Sequence, residues 1–113
     1  MKNTFGRYPA AQKLETLLED NPSARRKVSR LLSSFTREMF LVTAAKDPVT
    51  VRKCLSLLRK DALERINLVQ GLSHDVRTYT ANVVTGRFRT FLDCFNSLVP
   101  YIQKDLTSNG SQV

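Results

Sequence analysis

The chain has 113 residues, the size of one domain, and folding can bury roughly two thirds of the surface of an unfolded chain of this length. Apolar residues make up 42% and charged residues 25%, which is ordinary for a globular protein and excludes wholesale disorder. Eighteen Lys and Arg against ten Asp and Glu give a formal net charge of +8. This excess favours an acidic partner, which could be nucleic acid, an anionic membrane or a protein surface.

Three short breaks divide the chain into segments with helical periodicity. Asn21-Pro22 and Asp47-Pro48 each offer a capping side chain followed by a proline, which is favoured at the first helical position because its missing N–H is not needed there. Gly71 suits the left-handed residue that ends a helix, and Ser73 suits the cap of the next one. Because such short connections make successive helices antiparallel neighbours, the sequence predicts an all-α, up-down-up-down four-helix bundle with a short C-terminal helical extension.

Residues 1–8 lack periodicity and are predicted to form a flexible arm in front of a bundle over 9–99. Helices are predicted over 9–20, 22–45, 48–70 and 74–98. Pro100 should end the fourth helix, leaving a short C-terminal helix over 101–106 and a flexible tail over 107–113. The residues expected to face the core are Ala10, Leu14, Leu17 and Leu18, then Val28, Leu31, Leu32, Phe35, Met39 and Val42, then Val51, Leu55, Leu58, Ala62, Ile66 and Val69, and finally Val76, Tyr79, Val83, Phe91, Cys94, Phe95 and Leu98.

Two cysteines, Cys54 and Cys94, lie 19 residues before and 21 residues after Ser73, so antiparallel helices would bring them to nearly the same height. In an oxidising compartment they could form a disulfide that stabilises the fold. Alternatively, both are small buried hydrophobic residues, because helix axes about 8 to 10 Å apart often leave the Cα atoms too distant for a bridge. Two Cys and one His without a CxxC pair do not make a zinc site, so no metal is predicted.

No catalytic motif is present. Ser73, His74 and Asp75 are adjacent at a predicted helix start, where their side chains diverge, whereas a catalytic triad needs side chains that converge. Ser73 is better interpreted as a cap, and Asp75 as a first-turn acid that complements the helix dipole. The four glycines are isolated, so no phosphate-binding loop exists. We therefore expect a protein that is not an enzyme and that uses no cofactor.

Basic residues cluster at the start of the second predicted helix, where each exposed cation opposes the helix dipole at a cost of about 0.3 to 1 kcal/mol. One explanation is compensation by Glu19, Asp20 and Glu64. The other is partner binding, because a broken local rule often marks function. A second basic strip repeats at seven-residue spacing on the third predicted helix. The predicted partner-binding residues are Arg25, Arg26, Lys27, Arg30, Arg52, Lys53, Arg59 and Lys60.

A nucleic-acid-binding or anionic-lipid-binding helical module is the alternative use of these charges. Base recognition would need aromatic or amide residues among the cations, but the chain has no Trp, and most of its later aromatic rings fall on the apolar stripes, the set being Phe35, Phe88, Phe91 and Phe95. Binding through phosphates alone stays open. No apolar run of about 18 residues exists, so no membrane span is predicted.

The second and third predicted helices also show a family resemblance. The runs Arg30 to Phe35 and Phe40 to Lys46, followed by Pro48 and another amphipathic helix, resemble the C-terminal helical hairpin of the Q-type extrinsic subunits of photosystem II, and in size the small extra extrinsic subunit of diatom photosystem II. The resemblance covers about 22–70. It implies a mature protein of the thylakoid lumen, without its targeting peptide, that docks on the photosystem II core and other extrinsic subunits. Such subunits have no catalytic site and support oxygen evolution by helping to retain calcium and chloride. Without this resemblance, a cytoplasmic location would be expected.

Overall fold

The computed structural model describes residues 5–44 and 47–111, with side chains as far as residue 100. It contains the helices α1 (Pro9–Leu18), α2 (Pro22–Val42), α3 (Pro48–Leu68) and α4 (His74–Ser111), and these described residues contain no strand. The helix α4 packs against each of the other three, while α1 and α3 occupy opposite corners. The predicted all-α four-helix bundle is confirmed. Within the same ranges, no helix is both long and apolar enough to cross a membrane.

The three breaks act as the sequence predicts. The side chains of Asn21, Asp47 and Ser73 each accept backbone N–H bonds from the first turn of the helix that follows. Gly71 has φ +83°, the left-handed conformation that a residue with a Cβ rarely adopts. The predicted helix ends at 20, 45 and 70 lie two or three residues beyond those observed, and Ala45 itself lies outside the described residues.

The core forms where the apolar stripes meet, and it follows the prediction most closely in α2 and α3. On these helices the fully buried stripe members include Val28, Leu32, Leu55 and Ile66, each at most 1% exposed. The prediction is wrong for two positions of α4, because Cys94 is exposed and Leu98 is 56% exposed. Residues buried in α4 are Val76, Thr80, Val83, Val84, Phe95 and Val99.

The segment before α1 is packed onto the bundle, so the predicted flexible arm is wrong for residues 5–8, whereas residues 1–4 lie outside the described part. The Phe5 side chain is 1% exposed. The Tyr8 hydroxyl donates to the Val83 carbonyl at 3.2 Å. The Tyr8 ring also lies against Gly86, where an added Cβ would stand 3.3 Å from it. Gly86, in the middle of α4, therefore makes room for residues 5–8, which the sequence predicted to be part of a flexible arm.

The last helix continues through Pro100, contrary to the prediction that it ends before that residue. Pro100 has no N–H to donate to the Asn96 carbonyl, which weakens the helix locally. Burial of Phe95 and Val99 in the preceding turn, at 7% and 6% exposure, holds the backbone of α4 in place there. Residues 107–111 are helical as well, instead of forming a tail, and residues 112–113 lie outside the described part.

An arginine of α4 closes the C-terminal end of α3. The Arg77 guanidinium donates to the carbonyls of Ile66, of Val69 at 2.6 Å and of Leu72 at 3.3 Å. The last carbonyls of any helix lack intrahelical partners, and a cation at that end also complements the helix dipole. Arg77 therefore joins the end of α3 to the start of α4.

Phe5→Ala should lower the free energy of unfolding by about 3 kcal/mol, because it empties a filled position of the core. Urea unfolding monitored by circular dichroism would measure the change. Arg7→Ala, an exposed neighbour in the same segment, is the control and should stay within about 0.5 kcal/mol of the parent. Equal effects of the two substitutions would show that the segment is not packed on the bundle.

Arg77→Met should destabilise by about 2 kcal/mol and speed amide hydrogen exchange at the end of α3, since three carbonyl groups lose a charged donor. Arg89→Met removes the same charge from an exposed position of the same helix and should have little effect on either quantity. If the two variants unfolded at the same urea concentration, the capping role of Arg77 would be refuted.

Candidate docking surface

The excess positive charge is concentrated in one part of the chain. Residues from Pro22 to Leu68 hold 11 of the 18 Lys and Arg residues but 4 of the 10 Asp and Glu residues, a net charge of +7 out of the total of +8. This segment comprises α2, α3 and their connection. The rest of the chain is close to neutral, so the charge belongs to the α2–α3 hairpin.

On α2, three of the four exposed cations form a single row. Arg26, Arg30 and Arg37 are exposed and are spaced by four and seven residues, which places them on one side of a helix. The opposite side carries the buried Val28 and Phe35. Within the described part of the chain, none of these three arginines makes an ion pair or a hydrogen bond. The row therefore presents three uncompensated positive charges.

On α3 the outer side carries Lys53 and Lys60, both exposed and both without an ionic partner in the described part of the chain. Leu57 lies between them and is 61% exposed. These residues line a shallow groove of about 530 Å³. Together, Arg26, Arg30, Arg37, Lys53 and Lys60 make up what we call the basic face.

Arg59 sits at the border of the basic face, in the same groove. Its guanidinium lies over the ring of Phe88 in α4, 4.9 Å from the ring centroid, and this stacking fixes its orientation. The Arg59 Nε is buried and has no hydrogen-bond partner in the described residues. A carboxylate of a partner protein that reached the Arg59 guanidinium would find N–H donors whose orientation is already fixed by the stacking on Phe88.

Three of the eight predicted partner-binding residues are instead engaged within the molecule. Arg25 pairs with Glu15 at 2.6 Å and lies over the Phe5 ring. Lys27 donates to the Gln70 carbonyl at 2.8 Å, and Arg52 donates to the Asn96 side chain at 2.9 Å. These side chains hold helices together, so we remove them from the docking surface.

Charge compensation at the start of α2 differs from the sequence-based expectation. Glu15 of α1 pairs with one arginine, whereas Glu19, Asp20 and Glu64 form no ion pair with described residues. A separate cluster between α2 and α3 joins Arg65 to Asp61 at 2.9 Å and to Glu38 at 3.9 Å. Neither arrangement neutralises the basic face.

Of the two possibilities for Cys54 and Cys94, the disulfide is absent because both thiols are free. Burial of both is wrong as well, since Cys94 is exposed and Cys54 is half-buried. Cys94 lines a groove between α2 and α4, on the side of α4 away from α3, which explains why similar height is not enough for a bridge. In the described part of the chain, no three His, Cys, Asp or Glu side chains are placed to hold a metal ion.

Sequence reasoning missed Arg37 and the exposed leucines. Arg37 stands one heptad after Arg30, so helical spacing alone could have placed it in the row. Leu41, Leu57 and Leu68, each at least 61% exposed, lie off the core stripes. The outer side of the hairpin thus mixes positive charge with apolar side chains, a composition that suits protein contact.

Asp47 fixes the start of α3 and so helps to set the orientation of the cations on that helix. Its carboxylate accepts bonds from the Thr50 hydroxyl and from the backbone N–H groups of Thr50 and Val49. The bond from the Thr50 hydroxyl is the main cause that lowers the pKa of Asp47 below 3.8.

Because this pKa is depressed by folding, the cap should stabilise the protein above about pH 4, and its contribution should be lost as pH falls through the folded pKa. Carboxyl NMR titration of the parent should give a midpoint below 3.8 for Asp47. Thr50→Val removes the hydroxyl and should raise that midpoint, whereas Thr78→Val on α4 should not. An unchanged Asp47 midpoint in Thr50→Val would contradict the assignment.

Comparison with known proteins adds no relative from which a role could be inferred. No family model matches the chain, and no curated protein or solved structure matches it. The placement of this chain's own side chains is therefore the basis for inferring a role.

Proposed function

We propose that the protein is a non-enzymatic accessory subunit that docks on an acidic protein surface through the basic face. The observation that carries this proposal is that the exposed cations of the basic face have no ionic partner within the described part of the chain. Ionic attraction of this kind speeds encounter and orients the partner, and exposed leucines beside the charges supply apolar contact area.

The mixture of residues favours a protein partner over a nucleic acid. Leu57 separates Lys53 from Lys60, and Leu41 follows Arg37 by one helical turn. An apolar side chain gains little from a phosphate backbone, whereas it can pack on another protein. Among the described residues, Phe88 supplies the ring that lies against a cation at the border of this surface. It is half-buried beneath Arg59 and not offered for base stacking.

In its more specific form, the proposal is that the partner is photosystem II and that the protein works in the thylakoid lumen as an extrinsic subunit supporting oxygen evolution. The resemblance to Q-type subunits covers about 22–70, which is nearly the same segment that holds the excess charge. Part of the resembling run, Ala45 and Lys46, lies outside the described residues.

The paired substitution Lys53→Glu with Lys60→Glu should weaken binding to salt-washed photosystem II membranes about tenfold, because two attractive charges become repulsive. Sedimentation at low ionic strength would measure it, and 1 M salt should release the parent protein. The control pair, Lys13→Glu with Arg89→Glu, changes the net charge equally at exposed positions away from the basic face. It should retain most of the affinity.

Three results would contradict different parts of this proposal. Equal loss in both pairs would mean that net charge matters and the basic face does not. Retention at 1 M salt would refute docking through exposed charge. Micromolar binding of random duplex DNA or of anionic liposomes, combined with no binding to the membranes, would favour the alternative module.

A further inference from the structure

A second surface of the protein has a different chemistry. A groove of about 620 Å³ runs between α2, α4 and the segment before α1. Its walls include the rings of Tyr8, Phe40 and Phe91. The volume falls within the range of about 300 to 1,000 Å³ that is typical of small-molecule sites. The groove does not include any residue of the basic face.

The aromatic wall is held in place but only partly covered. The rings of Phe40 and Phe91 meet edge to face, with centroids 4.9 Å apart and planes at 87°. Phe40 nevertheless remains 63% exposed, far more than a ring that completes a core. An apolar body seated in the groove would remove this surface from water.

Arg87 is the charged residue of the groove. Its guanidinium is half-buried and donates to the carbonyls of Leu32, at 3.4 Å, and Phe5, at 3.2 Å, and to the Thr36 hydroxyl at 3.1 Å. A guanidinium has five N–H groups, so the Nε–H and one Nη2–H remain without a partner among the described residues.

The charge of Arg87 has no counter-ion among the residues that the structure describes. It forms no ion pair with a described residue, and none of the described residues that line the groove is acidic. A purely apolar occupant would remove water from this cation without supplying a hydrogen bond or a counter-charge, which is unfavourable. A carboxylate would accept the two unused N–H groups as a charge-assisted pair.

We propose that this groove binds an amphipathic monocarboxylate, with its apolar body against Tyr8, Phe40 and Phe91 and its carboxylate on the Arg87 guanidinium. The site is independent of the basic face and of the accessory role proposed above. The shared chemistry fits either a fatty acid or an aromatic acid.

Cys94 can report on occupancy of the groove, because its free, exposed thiol lines the groove. Cys54 is half-buried on α3, outside the groove, and serves as an internal reference. The experiment measures alkylation of the full chain by iodoacetamide, read for each cysteine by mass spectrometry. The probes are 1-naphthylacetate and the uncharged 1-naphthylacetamide. Dodecanoate in a parallel arm distinguishes a fatty-acid preference from an aromatic one.

We expect 1-naphthylacetate to protect Cys94, but not Cys54, at concentrations about tenfold or more below those needed for the amide. Arg87→Met should bring the two probes to similar potency. Arg89→Met, which removes a charge two residues away at an exposed position, should leave the preference intact. Thr90→Trp, at the exposed wall of the groove, should abolish protection by both probes.

Equal protection by acid and amide in the parent would overturn the proposal, as would no protection by either acid at millimolar concentration. A preference that survived Arg87→Met would overturn it too. If Arg87→Met fails to fold, as judged by circular dichroism, Thr90→Trp decides, and protection that persists in this variant counts against the groove. A dimer in sedimentation that leaves Cys94 unreactive without probe would assign the groove to a second copy instead.

Discussion

Burial of the apolar stripes of α2 and α3, against each other and against α4, is the interaction on which the rest of the structure depends. Each fully buried aliphatic side chain contributes roughly 1.5 to 3 kcal/mol, and Val28, Leu32, Leu55 and Ile66 are all at most 1% exposed. This burial fixes the rotation of each helix about its axis. Once the rotation is fixed, helical spacing alone decides which residues face outwards, and on the described part of the hairpin these include most of the cations.

The arginines of the chain serve two different purposes. Arg77 directs its guanidinium to backbone carbonyls at the end of α3 and in the turn that follows. Arg87 bonds carbonyls of elements that are distant in sequence, and Arg25 pairs with a carboxylate of α1. Arg26 and Arg30 stand in solvent without partners among the described residues. The net charge therefore overstates the positive charge that is available to a partner, because several arginines are engaged in contacts within the fold.

The helices and their turns could be predicted from sequence because their signals are local. Asn21, Asp47 and Ser73 cap the helix that directly follows, and periodicity identifies the stripes without knowledge of the partner helices. Phe5 was missed because its signal is not local. A single apolar residue shows no periodicity, and the contacts of this segment with α4 involve residues about 80 positions later in the chain. Pro100 was misjudged because packing of Phe95 and Val99 outweighs a local preference.

The residues of the candidate site also divide into those with local signals in the sequence and those whose contacts are long-range. Exposure of Lys53 and Lys60 follows from their spacing opposite the core stripe of α3, so the sequence could place them. The engagement of Arg25, Lys27 and Arg52 depends on residues of other elements, namely Glu15, Gln70 and Asn96. Spacing within one helix carries no information about such contacts. The same holds for the two cysteines. Their similar height along the bundle does not determine which side of its helix each one occupies.

Docking through the basic face requires that positive potential is concentrated on the outer side of the α2–α3 hairpin. Solvent paramagnetic relaxation with an anionic and a neutral nitroxide measures the potential near each backbone amide. We expect the anionic probe to be most enriched near residues 26–37 and 53–60, relative to α1 and α4, and 1 M salt to remove the difference. Uniform enrichment over all four helices, or a maximum on α4, would contradict it.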